Sequence, residues 1–296
     1  MSERSPGRPP PVADRAGTSA TSGPGGSPPP NPASRQAQFE VIPLPGIAER
    51  ALEHLPAGSR VTVTASPAQG LEATLEAATA LAAGGMVAVP HLAARMVEGP
   101  DALERILERL GGAGIEELFV IAGDATPPAG PYDGALTLLE AIAPAGRGLV
   151  VGVGAHPEGH PHADPAAALE LLRRKAEHAS YVATQMLFSP DPLLTWAEQL
   201  REAGIDMAVR PGVAAPASRT RLLRIGTRIG VGRSLRMLTA ESSGVRRLLG
   251  PGHWDPDPLL DALAAAELPG LAAPHVFTFN SLAETAAWWQ ARIGRA

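Results

Sequence analysis

One segment concentrates the side chains able to do chemistry. From Gly154 to Phe188 the chain reads GAHPEGHPHADPAAALELLRRKAEHASYVATQMLF. It sets His156, Glu158, His160 and His162 in a short loop, carries Arg173, Arg174 and Lys175 on a helical stretch, and closes on Thr184 and Gln185. Imidazoles and a carboxyl can move protons or ligate a cation, basic side chains hold anions, and a primary amide both donates and accepts. A zinc site would want regular His spacing, which Pro157 and Pro161 interrupt, so no metal is expected. The glycines of GVGAHPEG run into a Pro-rich loop instead of opening a helix, so they do not form a dinucleotide fingerprint. The sequence contains no nucleophile elbow and no phosphate-cradling P-loop.

The elements that must position these groups alternate between two periods. Apolar runs recur as FEVI (39–42), RVTVT (60–64), MVAVP (86–90), LFVIA (118–122), GLVVGVG (148–154), YVATQ (181–185), DMAVR (206–210) and HVFTF (275–279). Between them apolar residues return every three or four positions, as Leu71, Leu75, Ala78 and Leu81 do, and then Leu103, Ile106, Leu107 and Leu110. Nearly continuous apolar strands imply burial on both faces and a parallel sheet. Eight strand-helix units predict an α/β fold, a single-domain (β/α)8 TIM barrel over residues 37–296. The gap between the seventh and eighth strands reads as an insertion with extra helices near 219–228 and 243–249.

In such a barrel the reacting groups project from the C-terminal ends of the strands. The strand ends present Glu40, Thr64, His91, Gly123 with Asp124, the His156–His162 loop, Thr184 with Gln185, Pro211 with Gly212, and Thr278 with Asn280. Each has a structural alternative. Glu40 could form an ion pair with Arg60 or a neighbouring Lys, Asp124 could close a turn, Gln185 could cap a strand, and Arg173 to Lys175 could be a solvated helix face.

Composition bounds the rest. Residues 1–36 are Pro, Gly, Ser and Ala with few large apolar side chains, the composition of a disordered tail. A net charge of -5 gives no attraction for nucleic acid or anionic membrane, and a small diffusible ligand is expected. No Cys is present, which removes disulfides and thiolate metal sites. No apolar run is long enough for a membrane span, and a cytoplasmic location is expected. A homo-oligomer stays open.

Read together, FE at 39–40, VTVT at 61–64, PHL at 90–92, GD at 123–124, HPEGHP at 156–161, RRK at 173–175, TQ at 184–185 and FTFN at 277–280 resemble the methylenetetrahydrofolate reductase family. The resemblance spans about residues 38–290 and suggests a short, divergent bacterial-type member. It implies a flavoprotein of one-carbon metabolism and methionine biosynthesis that binds FAD non-covalently. Such an enzyme takes hydride from NADH or NADPH and reduces 5,10-methylenetetrahydrofolate to 5-methyltetrahydrofolate, or runs the reverse oxidation.

The resemblance makes Glu40 the general acid, with a pKa raised by its apolar strand, and makes Asp124 and Gln185 folate contacts. Thr64, His91, Gly123, Asp124, His156, His160, Ala163, Arg174 and Lys175 would line the flavin site. The chain departs from the family pattern at Ala122, His156, Ala168, Leu171 and Ser281, where familiar members carry Arg, Tyr, Asp, Asn and Arg. No regulatory domain follows the barrel in this sequence, so control by S-adenosylmethionine is not expected. Two further readings stay open: a flavin-independent folate reductase using nicotinamide directly, and a non-catalytic folate- or flavin-binding barrel.

Overall fold

A computed structural model describes residues 36–145, 148–159, 164–218, 220, 222 and 253–295. Eight parallel strands close into a barrel: β1 (Gln38–Val41), β2 (Arg60–Val63), β3 (Val87–Ala93), β4 (Glu117–Ile121), β5 (Val150–Ala155), β6 (Tyr181–Met186), β7 (Ala208–Ala214) and, after a short antiparallel pair, β10 (His275–Phe277). That pair is β8 (Ala217–Ser218) and β9 (His253–Trp254), which brackets the expected insertion. The insertion's predicted helices, near 219–228 and 243–249, lie almost entirely outside the described residues. The barrel is the fold the strand-helix alternation predicts. No helix among the described residues is long and apolar enough to cross a membrane.

Around it pack α1 (Ile47–His54), α2 (Gly70–Ala83), α3 (Pro100–Gly112), α4 (Ala135–Ile142), α5 (Pro165–Ala176), α6 (Asp191–Glu202), α7 (Asp257–Ala265) and α8 (Leu282–Ile293). The α5 start is set locally. Asp164 accepts hydrogen bonds from the Ala166 and Ala167 amides at 3.0 and 3.2 Å, and Pro165 follows as the first helical residue. The main core lies between helices and strands, where Leu81, Leu110, Leu118, Leu138 and Leu193 are fully or almost fully buried. Each such side chain contributes about 1.5–3 kcal/mol through removal of apolar area from water.

Inside the barrel the expectation of apolar strands fails in an informative way. Gln38, Arg60, Thr62, His91, Glu117, Tyr181, Arg210 and His275 are buried, and several pair with one another, beside a small apolar cluster of Val89, Phe119, Tyr181 and Ala183. Arg60 pairs with Glu117, Gln38 donates to the Tyr181 hydroxyl at 3.1 Å, and the Arg210 guanidinium lies 5.2 Å from the Tyr181 ring centre. Burial first, and then the Arg210 charge, push the Arg60 pKa down to about 10. A buried guanidinium is tolerated only when paired, so the Arg60 and Glu117 side chains must enter together. The sequence alternative that paired Glu40 with Arg60 is therefore wrong: Arg60 is committed to Glu117, and Glu40 finds other partners.

Of the strand limits that differ from the sequence reading, three bear on the site. β3 continues to Ala93, so His91 sits inside the strand and not after it; β7 continues through Pro211 and Gly212; β10 stops at Phe277. Pro211 is accommodated although proline removes a ladder donor, because the β6–β7 pairing is irregular between Ala183 and Met186. The tandem Trp288 and Trp289 are both partly buried, so neither is wholly in the core.

Candidate active site

Glu40 lies on β1 at the mouth, with its side chain 15% exposed. The His275 Nε2 stands 3.0 Å from Glu40 Oε2, and the His91 Nε2 stands 3.8 Å from the same oxygen. His91 stacks on Phe119 with ring centres 4.7 Å apart, and Phe119 in turn faces His275 at 6.0 Å. The acid is thus flanked by two imidazoles, not by the apolar surroundings expected from its strand. Burial pushes the His91 pKa down to about 4, Glu40 opposing and His275 reinforcing the shift, so His91 is neutral near pH 7. The Glu40–His275 contact then holds a proton between Oε2 and Nε2, as an imidazole N–H donating to the carboxylate or to the protonated carboxyl, or as a carboxyl O–H donating to imidazole.

The Glu40 backbone is clamped where the first and last strands meet. Thr278 donates its hydroxyl to the Glu40 carbonyl at 2.6 Å. Asn280 accepts from the Ile42 amide at 2.8 Å and donates Nδ2–H to the Ile42 carbonyl at 3.0 Å, so its side chain imitates one rung of strand pairing. Phe279 and Asn280 both have left-handed backbones, φ 50° and 60°. That conformation is tolerated by Asn but uncommon for a bulky residue such as Phe.

A second pair forms across the mouth. β6 carries an extra residue relative to β7 between Ala183 and Met186, a bulge whose Thr184 hydroxyl accepts from the Gly212 amide at 2.8 Å. Gly212 is required there, since a Cβ would sit 2.3 Å from the Thr184 carbonyl oxygen. Bulges re-aim side chains, and here Gln185 is half-buried and donates Nε2–H to Glu158 Oε2 at 2.8 Å.

The loop after β4 is held over the end of β3. The Arg95 amide donates to the Ala122 carbonyl at 3.0 Å and the Arg95 Nε to the Ala125 carbonyl at 2.9 Å. Gly123 has φ 81°, and a Cβ on it would lie 2.8 Å from the Ala93 Cβ, so the turn needs glycine on both counts. Asp124 is exposed at this rim, and Thr64, at the end of β2, is half-buried.

The sequence-predicted residues thus divide. Glu40 and His91 come together, as do Gln185 and Glu158. His156 is exposed, while His160, His162 and Ala163 lie outside the described residues. Arg174 does not face this cluster: it pairs with Glu140 of α4 at 3.3 Å, both half exposed, and Arg173 pairs with Glu170 at 2.8 Å. Lys175 differs, because burial lowers its pKa and no anionic partner is present among the described residues. The sequence reading placed Thr278 and Asn280 at a strand end without their clamping role, and it assigned no role to His275 or Arg95. The signal for His275 was its period-two alternation with Phe277, which puts both on the inner face opposite Gln38 and Glu40.

Comparison with known proteins converges on one family. The family model for methylenetetrahydrofolate reductase matches residues 43–231. The chain belongs to that family. The 5,10-methylenetetrahydrofolate reductase of Escherichia coli (strain K12) is 31% identical over 135 residues, covering 44% of this chain and 44% of that protein. Methylenetetrahydrofolate reductase 2 of Saccharomyces cerevisiae is 28% identical over 123 residues, 38% of this chain and 20% of that one. The matched segment therefore spans less than half the length of these relatives. Among solved structures, oxaloacetate acetylhydrolase superposes with a TM-score of 0.51 at 14% identity over 88% of this chain and 82% of that chain, a likeness of fold alone.

Proposed function

We propose that this chain is a flavin-dependent oxidoreductase that reduces 5,10-methylenetetrahydrofolate to 5-methyltetrahydrofolate with hydride drawn from NADH or NADPH. The observation that carries the reading is a carboxyl at the mouth of a family barrel, Glu40, hydrogen-bonded to a buried imidazole at 3.0 Å. Glu40 donates its proton to the ring nitrogen of the folate that leaves the bridging carbon, and the C–N bond breaks. The methylene iminium so formed accepts hydride and becomes the N-methyl group. With His275 as its Nε2–H tautomer, Nε2–H donates to the protonated Glu40 carboxyl before the transfer and to the carboxylate after it, stabilising the charge left behind. Thr278 and Asn280 hold the Glu40 backbone in place, and Gln185 and Asp124 contact the pterin.

The residues present fit a flavin. A Cβ on Gly154 of β5 would meet nothing within 4 Å, which leaves open space beside the strand, whereas the space beside Gly152 is filled by the Tyr181 ring. His91, Thr64, Gly123, Asp124 and His156 are the described residues proposed to line the flavin site, the family resemblance adds His160 and Ala163 to that set, and Lys175 is a cation available to a diphosphate. When bound, FAD supplies hydride storage between the nicotinamide and the folate.

The pairing of Arg173 and Arg174 with carboxylates favours a second reading, in which no flavin is held and nicotinamide delivers hydride directly. The absorbance spectrum of the purified protein separates them. The first reading expects about one flavin per chain, bleached by anaerobic NADH and restored by methylenetetrahydrofolate. A colourless protein that still oxidises NADH with that folate establishes the second, and a coloured protein that never turns over with folate defeats both.

A further inference from the structure

Gln185 offers chemically opposite ends, an NH2 that donates and a carbonyl oxygen that accepts, and its use to a ligand depends on which end faces the mouth. A carboxylate can only accept, so the 2.8 Å contact to Glu158 Oε2 assigns the NH2 end to Glu158. No other hydrogen bond to the Gln185 side chain exists among the described residues, and the carbonyl oxygen is the end left for a ligand. The bulge that brings Gln185 to the rim is itself fixed by the Thr184–Gly212 bond, so the side chain has a firm base. Both partners are half-buried, where a misplaced amide costs more than it would in water.

We propose that Glu158 is a positioning residue that locks the Gln185 amide with its carbonyl oxygen toward the mouth, selecting a ligand edge that donates N–H. The amino-substituted pyrimidine edge of a pterin and the carboxamide NH2 of a nicotinamide both present such donors. Burial raises the Glu158 pKa and the bond from Gln185 only partly opposes that shift, so the ionised, accepting form leans on this bond. The identity of the ligand rests on the proposed function, whereas the amide's orientation rests on this geometry alone.

Glu158→Gln tests the inference, because the new amide matches the carboxylate in shape yet can donate to Gln185 Oε1 and let the amide turn over. The expected result is a KM for methylenetetrahydrofolate raised about tenfold with kcat within about twofold, the loss of one oriented hydrogen bond. In parallel, the Gln185 side-chain amide resonance, assigned through Gln185→Ala on the full chain, moves upfield in E158Q as its bond to a charged acceptor is lost. An unchanged KM, or an amide resonance indifferent to E158Q in a protein that melts like wild type, overturns the proposal. If the wild-type chain fails to reduce the folate at all, the proposed function falls, and the amide resonance by itself then decides whether Glu158 orients Gln185.

Discussion

Replacing His275 by Leu removes the Glu40 partner while keeping the volume needed beside Phe119 and Phe277. His275 is 2% exposed and packs edge-on against Phe277 at 4.9 Å, so an apolar residue of similar size refills the space. Its Nδ1 has no partner among the described residues, so the substitution orphans nothing there. What is lost is the 3.0 Å bond to Glu40 Oε2, leaving His91 at 3.8 Å as the nearest imidazole. A hydrogen bond to a charged group is worth about 1.5–3 kcal/mol, and each 1.36 kcal/mol is tenfold in rate, so folate reduction should slow by about ten- to hundredfold. Oxidation of the nicotinamide needs no proton from Glu40 and should change by less than about twofold. Anaerobic stopped-flow measurement of the two half-reactions, with thermal melts alongside, reads both. Equal slowing of the two, or no slowing of the folate half, refutes the assignment of His275 as the acid's partner.

The remaining expectations follow from the same geometry. Glu40→Gln should abolish the folate half-reaction and spare the nicotinamide half, checked by the same assay; survival of both sinks the acid role of Glu40. Gly212→Ala forces a Cβ to within 2.3 Å of the Thr184 carbonyl oxygen, so it should lower stability by about 1–3 kcal/mol in urea denaturation and weaken folate binding through the displaced bulge. The folded chain holds His91 at about 4 against an ordinary 6.5, so the unfolded chain binds the extra proton between those values. Stability should therefore fall as pH drops from about 6.5 to 4, by up to about 3 kcal/mol in total, and this component should vanish in His91→Gln.

Which parts were readable from the sequence has a physical explanation. The barrel was legible because each apolar run is bounded by a helix of a different period, and leucines such as Leu81, Leu110 and Leu118 face the strand-helix core as that periodicity requires. Glu40 and Gln185 were legible as polar residues at strand ends. The inner polar layer was not, because in a strand a two-residue alternation of Arg60 with Thr62, or His275 with Phe277, resembles solvent exposure on one face. Only closure of the sheet turns that face into an interior, where Arg60 must find Glu117 from a strand 57 positions later in the numbering, 60 against 117. No local pattern specifies such a pairing. The same holds for Arg174, whose neighbour Glu140 comes from α4, a partner that the RRK motif by itself does not specify.

The acid sits at the seam where the chain's first barrel strand meets its last, and that placement ties catalysis to closure. β1 pairs with β10 through only Gln38, Phe39 and Glu40 against His275, Val276 and Phe277. β10 has three residues, too short to secure the join by its own ladder, and the Asn280 side chain supplies the next rung through Ile42 while Thr278 takes the Glu40 carbonyl. Both side-chain hydrogen bonds to Glu40, from His275 to its carboxyl and from Thr278 to its carbonyl, therefore come from a segment about 235 residues away, while β2 and His91 support it from the other side. An unclosed barrel would leave the carboxyl in water, without its imidazole partner, and unable to hold a proton against a bound folate. Asn280→Ala separates this from a role in ligand contact: it removes both rungs to Ile42 without touching the acid, and loss of two partly buried hydrogen bonds should lower stability by about 1–3 kcal/mol. Folate reduction should fall with it while nicotinamide oxidation holds. A variant as stable as wild type, or one in which nicotinamide oxidation fails first, would show that the seam is not what holds Glu40.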